Sequence, residues 1–204
     1  VLGVPFIEFL APGLIAMQVI QQTFSHSSSS LLMGKVMGNI VDVIGAPLSS
    51  AEVTLSVVLA AVTRGVIISV ISIICFQLLI DIEIKNFTIF IVYLLLGSFI
   101  MGCAGFIAGL WADKFDHMAT VTNFIIVPLS FLSGTFYSID RLPNILKELS
   151  YYNPFFHIID GFRFAFIANM DGSLNFGLIY LSVLSVIIWI VSYYLYKIGY
   201  KIKS

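Results

Sequence analysis

The chain has 204 residues, of which 59% are hydrophobic and 10% charged, and its formal net charge is −1. Soluble domains carry about a quarter charged residues, so this chain has too little polar material to cover a surface in water, and lipid is its natural solvent. The near-neutral charge argues against a nucleic-acid partner, which would want a basic face.

A helix that crosses the hydrocarbon core needs roughly 20 mostly apolar residues. Five stretches meet that need, at about residues 9–32, 55–80, 87–112, 118–136 and 174–196. The expected fold is therefore an all-α membrane protein, a single transmembrane domain over residues 1–204. The chain opens at Val1, with no basic region before its first apolar stretch, so no signal peptide is read there and upstream residues are expected.

The first span is the weakest. It holds Pro12, Gln18, Gln21, Gln22 and a serine cluster from Ser25 to Ser30. Such a helix is poorly suited to lipid and should pack against other helices, whose side chains satisfy its polar groups. The connection Gly34–Glu52 follows. Val36, Ile40, Val43 and Ile44 recur in it at near-helical spacing, and it stops at Ala46-Pro47. It reads as a short amphipathic helix at a membrane surface.

The second span contains one charge, Arg64. A charge at the bilayer centre costs about 2.5–3.5 kcal/mol on insertion scales. Arg64 either snorkels to the headgroups from the first turns of its span or pairs with a polar group of the first span. Cys75 and Cys103 lie in apolar runs and read as buried small hydrophobes. Asp81–Asn86 is a polar turn. The third span carries Gly97, Gly102, Gly105 and Gly109. Its Gly105-x-x-x-Gly109 step admits a close helix neighbour, within the molecule first and across a dimer second. Asp113–His117 is another polar turn.

The long connection Tyr137–Ser173 holds two short helices. Leu142–Leu149 is introduced by Pro143, and a second, aromatic-rich piece runs from Asn153-Pro154 to about Phe166. They are expected to lie in the outer interface. Asp160 and Arg163 are three apart on the second piece and share a face, either lining an exit or anchoring the helix as an ion pair. The tail is basic. With it inside, Lys35, Lys114, Lys197, Lys201 and Lys203 are cytoplasmic, and Lys85, Arg141, Lys147 and Arg163 are outside.

No Gly-x-x-x-x-Gly-Lys-Ser/Thr loop is present, so the chain should not bind ATP alone. The histidines, His26, His117 and His157, fall in three separate regions, with no metal-ligand spacing and no nucleophile-base arrangement. The spans offer almost no ionisable groups besides Arg64, which speaks for transport powered from outside the chain over an ion-coupled secondary transporter or channel, the alternative reading.

Several motifs together resemble the permease subunit of ABC type-2 transporters, the bacterial exporters of polysaccharides, lipids and drugs. Asn39-Ile40-Val41-Asp42 followed by Ala46-Pro47-Leu48-Ser49 is similar to the family's cytoplasmic coupling segment. Pro128-Leu129-Ser130-Phe131-Leu132-Ser133-Gly134-Thr135-Phe136-Tyr137 resembles its most recognisable stretch. Leu142-Pro143, Asn153-Pro154, Asp160-Gly161-Phe162-Arg163 and Thr63-Arg64-Gly65 fit as well.

The resemblance implies six spans, five of them visible here, and two outer re-entrant helices. It implies a permease homodimer in the bacterial inner membrane, surrounded by lipid and paired with ABC ATP-binding subunits. ATP would be bound by that partner, with no cofactor on this chain. Lys35, Asn39, Asp42 and Pro47 become candidates for coupling to the ATPase. Arg64, Asp160 and Arg163 become candidates for the translocation path or its exit.

Overall fold

In lipid every backbone N–H and C=O must find its partner inside the protein, which leaves an apolar chain the choice of helices or a closed barrel. The computed structural model describes residues 5–80, 82–139 and 143–201, the side chains of Ile44, Asn144, Ile145 and Leu146 excepted, and among these residues there are helices and no strand. Arg141, Leu142 and Lys203, and Asp81 of the second turn, lie outside the described residues.

Helix α1 runs Phe6–Val36. The short α2 is Ile40–Gly45, and α3 is Ser50–Gln77. Helix α4 is Phe87–Trp111. A fourth rod, Phe115–Thr135, is built from α5 (Phe115–Val121) and α6 (Val127–Ser130), each followed by a π turn, Thr122–Ile126 and Phe131–Thr135. Pro128 has no N–H to offer the carbonyl one turn earlier, and the first π turn sits at that gap. Helices α7 (Asn144–Tyr152) and α8 (Pro154–Ile167) follow, then α9 (Leu174–Lys197).

Among the described residues four helices are long and apolar enough to cross a membrane: Ser50–Gln77, Phe87–Trp111, Phe115–Thr135 and Leu174–Lys197. The fifth expected span is α1. Its 31 residues extend about 46 Å at 1.5 Å per residue, ample length, but its polar side chains keep it below the hydropathy of the others. The fold resolves this by enclosure. Helix α1 packs against α3, α4 and α8, and Ile15, Val19, Ile20 and Phe24 are buried in the main core. Phe90 of α4 meets Phe162 and Phe166 of α8 edge-on, with centroids 5.5 and 5.7 Å apart. Cys103 is buried as expected. Cys75 is exposed, because α3 is peripheral and turns much of its apolar surface outward.

The glycine row on α4 is an intramolecular device. A Cβ on Gly105 would overlap the carbonyl oxygen of Phe24, and one on Gly109 would lie 2.8 Å from the carbonyl oxygen of Ser28. Both obstacles are backbone of α1, so neither can move aside. Small residues here let two backbones touch, and dispersion and polar contacts hold them where the hydrophobic effect between helices is absent. Gly65 does the same for α3. Its Cβ position is contested by the hydroxyls of Ser98 and Thr23.

The Gly105→Ala variant should therefore lose about 1–3 kcal/mol of stability, the usual cost of overpacking. Thermal unfolding in detergent checks this, with Gly34→Ala as control, since a Cβ there meets nothing within 4 Å.

Candidate translocation and coupling site

The connection between α1 and α3 is shorter in helix than its apolar pattern suggests. Helix α1 continues to Val36, Gly38 turns the chain with φ of +79°, and α2 is six residues long. Residues 46–49 are not helical, and Ser49 then caps α3. Its hydroxyl accepts the Glu52 N–H at 3.3 Å, while the Glu52 carboxylate accepts the Ser49 N–H at 2.7 Å. This Ser-x-x-Glu capping box starts α3 five residues before the expected span.

Among the described side chains of residues 36–49, only Ile40 is buried. Val41 and Leu48 are more than half exposed, and Asn39, Asp42, Val43 and Pro47 are exposed beside them. The expected amphipathic face thus has Ile40 turned inward and Val43 turned outward. The result is an uncovered apolar surface carrying one acid, Asp42.

Lys35 is placed differently from its expected coupling role. Its ammonium donates to the carbonyls of Leu110 and Ala112 at 2.9 and 2.7 Å and lies 3.8 Å from Asp113. It satisfies the open carbonyls at the end of α4, a place where a cation also suits the helix dipole. Lys201 donates to Asp113 at 3.0 Å and to the Trp111 carbonyl at 3.0 Å. The Lys201 hydrogen bond holds the Asp113 carboxyl below the ordinary carboxylate range, with Lys35 adding to the effect. Lys35, Asp113 and Lys201 therefore gather at one end of the bundle. Glu8, Glu83 and Lys85 gather elsewhere, beside Phe166 and Ile167 at the end of α8.

Arg64 stands in the middle of α3, 14 residues beyond Ser50, or about 21 Å along the axis. The second expectation, a partner on the first span, is what the structure shows. The guanidinium donates to Gln22 Oε1 at 3.2 Å and meets His26 Nδ1 at 3.1 Å. Arginine has no acceptor, so Nδ1 accepts and the neutral ring carries its proton on Nε2. Arg64 remains exposed. Gln18 and Ser25 are exposed on α1, and Gln22, His26 and Ser29 are half-buried along the same side.

Asp160 and Arg163 occupy the opposite situation. They are 1% and 0% exposed, which removes them from any exit surface in this conformation. Arg163 Nη2 donates to the Gly134 carbonyl at 2.6 Å, and its guanidinium lies over the Phe9 ring, 3.9 Å from the centroid. Nη1 faces Asp160 at 3.9 Å and Asp171 at 3.6 Å. Asp160 in turn accepts the N–H groups of Asp171 and Gly172, at 2.9 and 2.8 Å. Asp171 accepts the Ser138 hydroxyl at 2.6 Å and the Ile139 N–H at 3.1 Å. Nearby, Asn153 donates to Ser133 Oγ at 2.8 Å. The network ties α1, α8, the last π turn and the loop before α9 together. Asp171 is the member the sequence reading missed. An acid beside a glycine in a polar loop looks solvated until the fold closes over it.

These features define a helical membrane protein with a polar flank on its innermost helix, a pinned ion network near one end and an uncovered surface at α2. Residues 1–167 match the ABC-2 type transporter family, and the chain belongs to that family. Among its relatives is the inner membrane transport permease YadH of Escherichia coli, 29% identical over 195 residues, an alignment covering 95% of this chain and 73% of the relative. The protein of the same name from Shigella flexneri matches to the same extent. The chain is a multi-pass inner-membrane transport permease.

Replacing Arg163 with Met leaves two buried carboxylates without a cation. The expected cost is about 3–5 kcal/mol, the usual result of breaking a buried pair from one side. Arg163→Lys should recover only part of it, because it keeps the charge and loses the Nη2 hydrogen bond to Gly134 and the stacking on Phe9. Unfolding of the two variants in detergent checks the order.

Proposed function

We propose that this chain is the membrane half of an ATP-driven ABC exporter, working as a homodimer with separate ATP-binding subunits. The observation that supports it best is the surface around α2. Val41, Val43 and Leu48 are exposed together beside Asp42. Apolar side chains gathered on a surface mark a site for a partner. In this reading α2 and residues 46–49 sit in a cleft of the ATPase, with Asn39, Asp42 and Pro47 at the contact. Lys35 acts indirectly by fixing the end of α4 against α1.

Closure of the ATP-bound subunits then moves α2, and α1 and α3 carry the movement into the membrane as rigid levers. Helix α3 is well suited to that role because its first turn is locked by the Ser49–Glu52 box. The polar flank of α1 with Arg64 lines the path between the two protomers, since hydrated groups at that depth are expected to face a water-filled passage or another polar surface. ATP belongs to the partner subunit, and this chain carries no cofactor.

Purification of the full-length protein from its own membranes should bring an ATP-binding subunit with it. Asp42→Lys should leave the permease folded and in the membrane, while ATP hydrolysis by the complex no longer responds to transport. A complex with unchanged coupled turnover in that variant would count against the docking role of α2. Recovery of the permease with no ATPase, and no stimulation on mixing, would count against the whole reading.

A further inference from the structure

Among the described spanning helices, Arg64 is the only formal charge far from a helix end. Glu8, Lys35, Glu52, Asp116 and Lys197 all lie within the first or last turn or so of their helices. No carboxylate among the described residues comes within ion-pair distance of Arg64. Its two hydrogen bonds go to neutral acceptors, Gln22 Oε1 and His26 Nδ1. These bonds orient the guanidinium without neutralising it, and its remaining donors have no partner among the described residues. Arg163, fully buried and set between two carboxylates, is the opposite case.

An exposed, oriented, unneutralised guanidinium midway along an apolar helix calls for an anion. Water alone solvates it poorly if the passage is narrow, and an acidic group would meet the free donors in a charge-assisted fork. The surroundings restrict the rest of the ligand. Along α3, Ile67, Ile71 and Ile74 follow Arg64 on the same face, and each is about half exposed. Around Arg64 the open side of α1 carries the neutral hydrogen-bonding groups Gln18, Gln22 and Ser25.

We infer that Arg64, oriented by Gln22 and His26, is the binding site for the acidic group of an amphiphilic substrate, a phosphate or carboxylate carried on an apolar body that lies along α3. The inference rests on the proposed path between α1 and α3, and adds to it the class of molecule that travels there. Phosphate and carboxylate share the chemistry that the guanidinium recognises. A free inorganic anion lacks the body that Ile67, Ile71 and Ile74 would hold.

The test is direct binding to the full-length permease in neutral detergent, without ATP, using fluorescently labelled dodecyl phosphate displaced by unlabelled competitors. Dodecyl phosphate and dodecanoate should displace the probe at concentrations at least about tenfold lower than dodecanol, the neutral counterpart. Arg64→Gln should weaken probe binding by about tenfold or more, and Arg64→Lys should retain an intermediate affinity, because it keeps the charge and loses the fork. Size-exclusion behaviour of both variants should match the parent. Inorganic phosphate competing as well as dodecyl phosphate would overturn the amphiphile assignment. Equal binding by Arg64→Gln and the parent would overturn the site, as would a change in the dimer fraction with binding untouched, which would make Arg64 a contact between copies. Those results leave copurification of an ATPase unaffected. Conversely, Arg64-dependent binding in a protein that recruits no ATPase would keep the site and remove the exporter reading.

Discussion

The contact of α1 with α4, backbone against backbone at Gly105 and Gly109, is the constraint on which the rest of the fold depends. Helix α1 carries glutamines, threonines and serines that lipid will not accept. It becomes stable at that depth only by being surrounded, and the glycines of α4 bring it close enough to be surrounded. Once α1 is seated, α3 closes over its side through Gly65 and α8 over its first turns through Arg163 and Phe9. The more apolar helices α3 and α9 are left at the periphery, where lipid suits them.

Each end of the bundle is fastened by charge, and the two fastenings differ in kind. At one end Lys35 and Lys201 satisfy the open carbonyls of α4 and share Asp113, partly in solvent. Such contacts are modest and can exchange with water. At the other, Arg163, Asp160 and Asp171 are sealed from solvent and bonded to backbone on three sides. Breaking that set exposes no compensating water, so it behaves as one rigid unit. The looser fastening lies where α1 and α4 end, near the connection to α2, and the tighter one where α8 meets the last π turn.

Much of this was legible in the sequence. The apolar runs located the spanning helices, and the polar content of the first stretch foretold its enclosure. The Gly105–Gly109 step named its own use. The failures have physical reasons. Spacing on a helix says that Asp160 and Arg163 share a face but not whether that face is covered, because the residues that cover it, Phe9, Gly134 and Asp171, are far away in sequence. The connection before α3 read as one amphipathic helix because apolar residues recur through it. The positive φ at Gly38 and the Ser49–Glu52 box cut it, and both are local signals that a periodicity count passes over. The partners of Arg64 stayed open in the sequence because nothing local says that Gln22 and His26, some forty residues earlier, face it.

The two arginines make the distinction between structure and function physical. Both are costly to hold in a membrane protein, and sequence alone gives no reason to rank them. Arg163 has its charge balanced by two carboxylates, its Nη2 bonded to a carbonyl and an aromatic face against it, while Nε and Nη1 are buried without a hydrogen-bond partner, and the fold encloses it completely. Arg64 is held in position by neutral groups and left uncompensated on an exposed face. A fold that needed only stability would be served better by a leucine there. What the guanidinium supplies there is an oriented positive charge with no carboxylate beside it among the described residues.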